Sequence, residues 1–140
     1  MGVAVALTPR DILARSRTVA VVGASRDPGK AGNAVPAQLQ RFGFRIIPVN
    51  PNAQGTLFGE PVRASLLEID EPVDLVDVFR PAADAPEIAR QAAAIGARAL
   101  WLQSDIVSAE ARSIAEAAGM DYVEDRCTGV ERALGGLHWG

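Results

Sequence analysis

Short apolar runs recur along the chain and are separated by segments rich in glycine, proline and polar residues. Five of these runs are dominated by β-branched and other large apolar residues, which is typical of strands buried on both faces of a parallel sheet. The predicted strands cover residues 18–22, 44–49, 73–79, 99–103 and 122–123.

Helical signals fill the intervals between the predicted strands. Thr8 and Ser108 stand where an N-cap is expected, and Gly43, Gly96 and Gly119 follow the apolar periodicity as stop signals. The last helix begins near Thr128, where Thr128 and Glu131 have the spacing of a capping box. The predicted helices cover approximately residues 9–15, 33–42, 64–69, 84–95, 108–119 and the stretch after 128.

This alternation predicts a doubly wound, Rossmann-like α/β fold, with a five-stranded parallel sheet and helices on both faces. We expect the strand order 3-2-1-4-5, with the switch point between the first and fourth strands. In that order the ends of the second and third strands lie side by side. The length of 140 residues predicts one domain over 1–140, with residues 1–17 forming an N-terminal helix that packs on it.

Composition and charge exclude several classes of function. The chain is 49% hydrophobic and 22% charged with a net charge of -3, and its arginines are scattered, which argues against a nucleic-acid surface. No apolar run approaches the ~20 residues of a membrane span. Cys127 is the only cysteine, which suits a reducing compartment. We therefore expect a cytoplasmic protein that binds neither nucleic acid nor membrane.

The stretch from residue 18 to residue 33 has the order strand, glycine-containing loop, helix start. Gly23 ends the strand, and Gly29 and Gly32 lie in the loop that follows. Loop glycines let a backbone approach an anion, and the first amides of a helix have no internal acceptor. Lys30, the only lysine in the chain, lies in this loop. The pattern predicts a phosphate-binding loop.

This loop differs from the two best-known phosphate loops. Ala31 occupies the position of the magnesium-binding hydroxyl of a Walker A loop, which makes nucleotide hydrolysis a poor hypothesis. Ser25 occupies the position of the second glycine of a dinucleotide fingerprint, and the second strand is followed by Asn50 rather than a carboxylate. NAD(P) binding nevertheless stays open as an alternative.

The loop sequence V-V-G-A-S-R-D-P-G-K-A-G at 21–32 resembles the CoA-binding domain family. That family includes small stand-alone bacterial proteins and the CoA-binding domain of the succinyl-CoA synthetase α subunit. P-V-N-P at 48–51 and D-V-F-R-P at 77–81 extend the resemblance, as do W-L-Q at 101–103 and D-R-C at 125–127. Together these segments run through most of the chain after residue 17.

The resemblance implies that coenzyme A is the cofactor and that CoA or acyl-CoA is the small-molecule partner. Four of the five segments lie at or just beyond the C-terminal ends of predicted strands, where ligands of open α/β sheets bind. The candidate cofactor-binding residues are Gly23, Ala24, Ser25, Arg26, Lys30, Gly32, Asn33, Asn50, Pro51, Phe79, Arg80, Pro81 and Gln103.

Several of these residues have an ordinary structural alternative. Lys30 is interpreted as a phosphate counter-charge rather than a solvated lysine, because it lies in the glycine loop. Arg80 is expected either to bind a phosphate or to pair with Asp84. Phe79 belongs either to the core or to an adenine site. Cys127 is read as a buried, inert thiol.

The favoured hypothesis is a CoA or acyl-CoA binding protein without a catalytic apparatus, in a regulatory or carrier role. The loop would hold the pyrophosphate, and the pantetheine arm would run towards Gln103 and Cys127. Asn50 and Arg80 would meet the adenosine end. The alternatives are an NAD(P)-binding oxidoreductase or a component of an acyl-CoA ligase. We predict no catalytic residue and no metal ligand, and His138 is read as a tail residue.

Overall fold

The computed structural model describes residues 7–140, so residues 1–6 of the predicted N-terminal segment lie outside the described residues. The strands are β1 (Thr18–Val22), β2 (Arg45–Val49), β3 (Thr56–Leu57), β4 (Glu60–Pro61), β5 (Leu75–Val78), β6 (Ala99–Leu102) and β7 (Asp121–Val123). The α-helices are α1 (Pro9–Ala14), α2 (Ala31–Arg41), α3 (Ala85–Ala94), α4 (Ala109–Ala117) and α5 (Thr128–Gly135). Two 3₁₀ helices cover Leu66–Glu68 and Ala82–Asp84.

The main sheet is parallel and five-stranded, in the order β2-β1-β5-β6-β7. The predicted fold class is confirmed, including the parallel sheet and its helices on both faces. The predicted strand order 3-2-1-4-5 is wrong. In the numbering of the five predicted strands the order is 2-1-3-4-5, which moves the second strand to the edge of the sheet.

Pro48 explains why β2 lies at the edge. The backbone N–H of Arg63 donates to the Pro48 carbonyl at 3.0 Å, on the side of β2 that faces away from β1. The N and C=O of one residue point to the same side of a strand, so the missing N–H of Pro48 also faces outward. Within a sheet, proline is confined to such edge positions because it cannot donate to a second ladder.

The corrected order moves the switch point to the gap between β1 and β5. The chain winds from β1 to β2 in one direction and from β5 to β6 and β7 in the other. The ligand crevice of a doubly wound sheet lies at the carboxyl ends of the strands that flank this point. Gly23, after β1, and Phe79, after β5, therefore lie side by side at this point. The ends of β2 and β5 are separated by β1 and are not side by side.

The sheet buries an apolar layer on each face. Ala20, Val22 and Val76 pack in a cluster with α3 and α4. Val19 and Val21 point to the other face, where the cluster includes residues of α1 and α2, and α5 packs against both of those helices. Alternate positions of β1 thus serve opposite layers, which is why the strand reads as a continuous apolar run.

The connection from β2 to β5, residues 50–74, contains no α-helix. It forms the antiparallel pair β3–β4 and then the 3₁₀ helix Leu66–Glu68, where a longer helical segment at 64–69 was expected. Ser65 Oγ accepts the N–H of Leu67 at 3.1 Å and caps this turn. Leu66 and Ile69 are buried in the layer that contains α3.

The two ends of the described chain are fixed by specific contacts. Thr8 forms the predicted cap of α1, as a capping box with Asp11. Near the other end, the Trp139 backbone N–H donates to Phe42 O at 2.7 Å, and its indole N–H donates to Ser16 O at 3.0 Å. His138, next to Trp139 in the chain, is exposed.

Candidate functional site

The turn from β1 to α2 is closed by direct backbone packing. Gly23 has a φ of 92°, and a Cβ atom there would lie 2.7 Å from the carbonyl oxygen of Phe79. A Cβ atom at Gly32 would lie 2.4 Å from the carbonyl oxygen of Gly23. Both positions therefore require glycine because neighbouring backbone occupies the space. This packing holds the first turn of α2 against the end of β1.

The first turn of α2 presents unbonded amides beside a positive charge. Lys30 is the N-cap residue, and its side chain makes no cap hydrogen bond. Within residues 7–140 the backbone N–H groups of Ala31 and Gly32 have no acceptor. Unbonded amides, the positive end of the helix dipole and a lysine are the three features that favour a bound anion.

Pro36 inside α2 helps to shape the loop. A residue at this position would normally donate its N–H to the carbonyl of Gly32, four residues earlier, but proline has no N–H. The Gly32 carbonyl instead accepts the backbone N–H of Ser25 at 3.1 Å. The Gly32 carbonyl, which has no donor within α2, thus links the loop to the helix.

Three of the predicted cofactor-binding side chains fix the loop through hydrogen bonds of their own. Asn33 Nδ2 donates to Ser25 O at 2.8 Å, and Asn50 Nδ2 donates to Ala24 O at 2.9 Å. The Arg26 guanidinium donates to Thr56 O at 2.7 Å and to Gln54 O. Each of these residues has a positioning role in the structure.

Two cavities open at the carboxyl edge of the sheet, and Gly23 lines both. The first, which we call the loop cavity, measures about 260 Å³ and is lined by Gly23, Ser25, Lys30, Ala31, Gly32, Phe79, Gln103, Ser104 and Ile106. The second, the crossover cavity, measures about 370 Å³ and lies between the β2–β5 connection and α3. It is lined by Val22, Gly23, Val49, Pro51, Ala64, Ser65, Arg80, Ala83, Asp84, Glu87, Ile88 and Gln91.

The cavities bring together most, but not all, of the predicted site residues. The loop cavity collects six of the thirteen: Gly23, Ser25, Lys30, Gly32, Phe79 and Gln103. Pro51 and Arg80 line the crossover cavity. Ala24, Arg26, Asn33, Asn50 and Pro81 are not among the lining residues of either cavity. Ser65, Glu87 and Gln91 also line the crossover cavity, and no sequence signal pointed to them because they come from segments without a glycine loop or a strand end.

Arg80 makes the ion pair that sequence analysis gave as its structural alternative. Its guanidinium donates to Asp84 Oδ2, at 2.9 Å from Nη2 and 3.1 Å from Nε. The two side chains are 46% and 45% exposed, so the pair is weak and both partners stay accessible from the crossover cavity.

Behind the loop cavity lies a buried polar cluster of Asp77, Gln103 and Thr128. Asp77, in the middle of β5, is fully enclosed. Gln103 Nε2 donates to Asp77 Oδ1 and, at 2.9 Å, to Thr128 Oγ1, whose hydroxyl donates to Asp77 Oδ2 at 2.9 Å. Burial raises the pKa of Asp77 to about 7, although the hydrogen bonds from Gln103 and Thr128 act in the opposite direction.

Thr128 corrects one sequence prediction. The N-cap of α5 is Cys127, and its side chain makes no cap hydrogen bond. Thr128 is the first helical residue, and its hydroxyl bonds to Asp77 instead of forming the predicted capping box with Glu131. The hydrogen bond to Asp77 forms in preference to the cap, because leaving a buried carboxyl group unpaired costs more free energy than leaving the helix N-cap unfilled. Cys127 is half-buried at this helix start.

Two further classes of site are absent from the described part of the chain. Residues 7–140 hold no group of three or more His, Cys, Asp or Glu side chains arranged to bind a metal ion. Among the helices described here, none combines the length and apolar character needed to cross a membrane.

Comparisons with known proteins agree with the geometry. The family model described as "CoA binding domain" matches residues 17–133. The uncharacterized protein YneT of Bacillus subtilis is 36% identical over 125 residues, covering 89% of this chain and 92% of YneT. A solved structure of a Thermus thermophilus protein superposes with a TM-score of 0.85 at 41% identity, covering 89% of this chain and 94% of that one.

A large enzyme also contains a related segment. Acetate–CoA ligase [ADP-forming] II of Archaeoglobus fulgidus is 36% identical over 102 residues, which cover 71% of this chain. The aligned part is only 15% of the length of that ligase. The family match covers most of the chain, and YneT is matched over nearly its full length. The chain therefore belongs to the CoA binding domain family.

Proposed function

We propose that this chain binds CoA or acyl-CoA in the cytoplasm and acts as a carrier or regulatory module without a catalytic apparatus of its own. One observation carries the proposal: the loop cavity brings Lys30 together with the unbonded amides of Ala31 and Gly32. That arrangement suits a pyrophosphate, and it lies in a chain of the CoA binding domain family.

The two cavities suggest how the ligand is divided. We assign the pyrophosphate to the α2 end of the loop cavity and the adenosine part to the crossover cavity, which continues from it at Gly23. Arg80 in the crossover cavity is our candidate for the ribose phosphate, because it needs only to exchange its exposed partner Asp84 for the ligand. Asn50 shapes the loop and is no longer assigned to the ligand, because β1 separates it from Arg80.

We expect CoA to raise the melting temperature of the protein in a dose-dependent way. A ligand that binds only the folded state stabilises it by about 2.7 kcal/mol at a concentration roughly 100 times its Kd. For a domain of this size, that free energy raises Tm by roughly 10 °C. Differential scanning fluorimetry with CoA, NAD and ATP measures the three shifts in parallel.

NAD and ATP should produce little or no shift. The loop lacks the second glycine of the dinucleotide fingerprint, and β2 is followed by Asn50 rather than a ribose-binding carboxylate. Stabilisation by NAD equal to that by CoA would overturn the CoA proposal and favour the oxidoreductase alternative.

A Lys30→Ala variant should bind CoA more weakly than the native chain. Removing one charge-assisted contact to phosphate costs about 1.5–3 kcal/mol, which is roughly a 10- to 150-fold increase in Kd. Stability should barely change because the side chain is exposed and makes no cap bond. Isothermal titration calorimetry measures the affinity, and urea unfolding measures the stability.

Arg41→Ala provides the matched control. Arg41 is an exposed cation in the last turn of the same helix, at the end remote from the loop. Its removal changes the net charge by the same amount as Lys30→Ala and should leave CoA affinity within about twofold. Equal losses in the two variants would show that Lys30 acts only through net charge.

The similarity to acetate–CoA ligase II supports a second candidate, a component of an acyl-CoA ligase. The match spans 15% of that enzyme, so the part shared with it is only a fraction of the ligase. The purified protein, incubated with an acyl-CoA, ADP and phosphate, tests whether it catalyses the reaction alone. We expect no ATP to form, and ATP formation would overturn the proposal that the chain has no catalytic apparatus of its own.

A further inference from the structure

Gln103 is the one member of the buried polar cluster that reaches the loop cavity. Asp77 and Thr128 are fully enclosed, whereas Gln103 is 6% exposed and lines the cavity wall. A change in protonation or hydrogen bonding within the cluster therefore reaches a ligand through the side-chain amide of Gln103. The conformation of that amide is fixed by its two buried partners.

The hydrogen bonds of Gln103 determine which of its side-chain atoms faces the loop cavity. Both hydrogens of Nε2 are used, one by Asp77 and one by Thr128. Within residues 7–140 no donor reaches Gln103 Oε1, and the only fully enclosed side-chain N or O atom without a partner is Arg132 Nε. Oε1 therefore keeps contact with solvent, which Gln103 meets at the loop cavity. With Asp77 as a carboxylate, the cavity is offered a hydrogen-bond acceptor.

Protonation of Asp77 reverses this arrangement. A protonated Asp77 carries an O–H group that needs an acceptor, and Gln103 supplies one if its amide turns over so that Oε1 faces Asp77. The Thr128 hydroxyl, which rotates freely, then donates to an oxygen of Asp77 or Gln103. Each buried group keeps a partner, and Nε2 now faces the cavity as a donor.

We propose that Gln103 contacts the thiol end of CoA, an inference that rests on the proposed function. The protonation state of Asp77 then decides whether Gln103 presents its carbonyl oxygen or its amide N–H to the thiol end of the ligand. A free thiol can donate its S–H to Oε1. A thioester has no S–H, and its carbonyl oxygen needs a donor such as Nε2. Ionised Asp77 thus favours free CoA, and protonated Asp77 favours acyl-CoA.

The position of Gln103 fits the thiol end of the ligand. It follows β6, two strands away from β1, and neighbouring strands lie about 4.8 Å apart, so it lies roughly 10 Å along the sheet edge from Gly23. The loop cavity connects the two points. A pantetheine arm that leaves the pyrophosphate at Lys30 can follow this path towards Gln103.

Both states of Asp77 are populated at ordinary pH, because burial raises its pKa to about 7. The flanking strands β1 and β6 carry no titratable side chain. The titratable and charged groups on the surrounding elements are Lys30, Asp105, Asp125, Arg126, Cys127, Glu131 and Arg132. Glu131 is paired with Arg10 and Arg126, and Arg132 lies over the ring of Phe42, so these groups are already engaged.

The test is the ratio of the CoA and acetyl-CoA dissociation constants from about pH 5.5 to about pH 8.5, measured by calorimetry. Both ligands share the ribose phosphate, the pyrophosphate and the contact with Lys30, so titration of those groups cancels in the ratio. We expect the preference to move towards acetyl-CoA by about fivefold as the pH falls, the equivalent of one hydrogen bond. In Asp77→Asn the ratio should no longer change with pH, because asparagine has no proton to gain or lose in this range.

A second measurement needs no variant. Displacement of bound CoA by acetyl-CoA near pH 7 should take up protons, which appears as a dependence of the heat on the ionisation enthalpy of the buffer. If both ligands bind with a ratio that is independent of pH, and no protons are taken up, the Asp77 switch is wrong and the CoA proposal stands. If neither ligand binds, the proposed function itself fails.

Discussion

A Gly32→Ala variant is expected to lose about 3 kcal/mol of folding free energy and to bind CoA roughly 100-fold more weakly or worse. The added Cβ would lie 2.4 Å from the Gly23 carbonyl oxygen, so α2 or the β1 turn must move. The movement separates Lys30 and the Ala31 and Gly32 amides from the cavity that they line. Urea unfolding and calorimetry measure the two effects.

Gly29→Ala is the control for this change. Gly29 lies in the same loop, and the nearest atom to an added Cβ is the side-chain Oδ1 of Asp27 at 3.2 Å. A side-chain atom can move aside, whereas a backbone carbonyl held by a sheet cannot. We expect a loss below about 1 kcal/mol in this variant. Equal stability of Gly32→Ala and the native chain would show that the helix start is not held against Gly23.

Replacement of Asp77 by asparagine is expected to make the protein more stable at alkaline pH. Burial raises the pKa of Asp77 from its ordinary 3.8 to about 7, so the folded state holds a proton that the unfolded state has released. Stability of the native chain should therefore fall as pH rises from about 4 to about 7 and then level off. The asparagine variant has no such proton, and its advantage should grow over this range by on the order of 2–4 kcal/mol.

Urea unfolding of both proteins over this pH range measures the difference. Asp121→Asn is the matched control, because Asp121 is an exposed carboxylate on the nearby strand β7. Its curve should run parallel to that of the native chain. A constant difference between Asp77→Asn and the native chain at all pH values would show that the carboxyl group is ionised throughout, stabilised by Gln103 and Thr128.

The elements of the fold were predictable because their signals are local. The apolar runs, the Thr8 and Ser108 caps and the glycine stops act within a few residues. Except at 64–69, the structure has strands and helices where they were expected. Strand order depends on pairing between distant segments, for which the sequence carries fewer signals. One was present in Pro48, whose missing N–H fits an edge strand.

The grouping of the candidate residues in space was predictable to the same extent. The residues of the glycine loop are close in sequence, and the structure gathers several of them around one cavity. The Asp77 cluster joins residues 26 and 51 positions apart, so no local pattern announces it. Thr128 illustrates the difficulty: its spacing to Glu131 favours a cap, yet its hydroxyl is used by a carboxyl group on another element. A carboxylate inside an apolar strand was one sign, and the segments at 77–81 and 101–103 had been singled out without the link between them.

The connection between β2 and β5, residues 50–74, contributes lining residues to only one of the two cavities. One wall of the crossover cavity belongs to this connection, through Ala64 and Ser65, whereas Lys30 and Gly32 belong to the β1–α2 unit. Surface connections tolerate insertions and exchanges far better than the elements they join. Positions of this connection other than the buried Leu66 and Ile69 can therefore be exchanged, changing the proposed adenosine side while the loop at 23–32 is left intact. The wall of the crossover cavity can thus vary independently of the loop cavity.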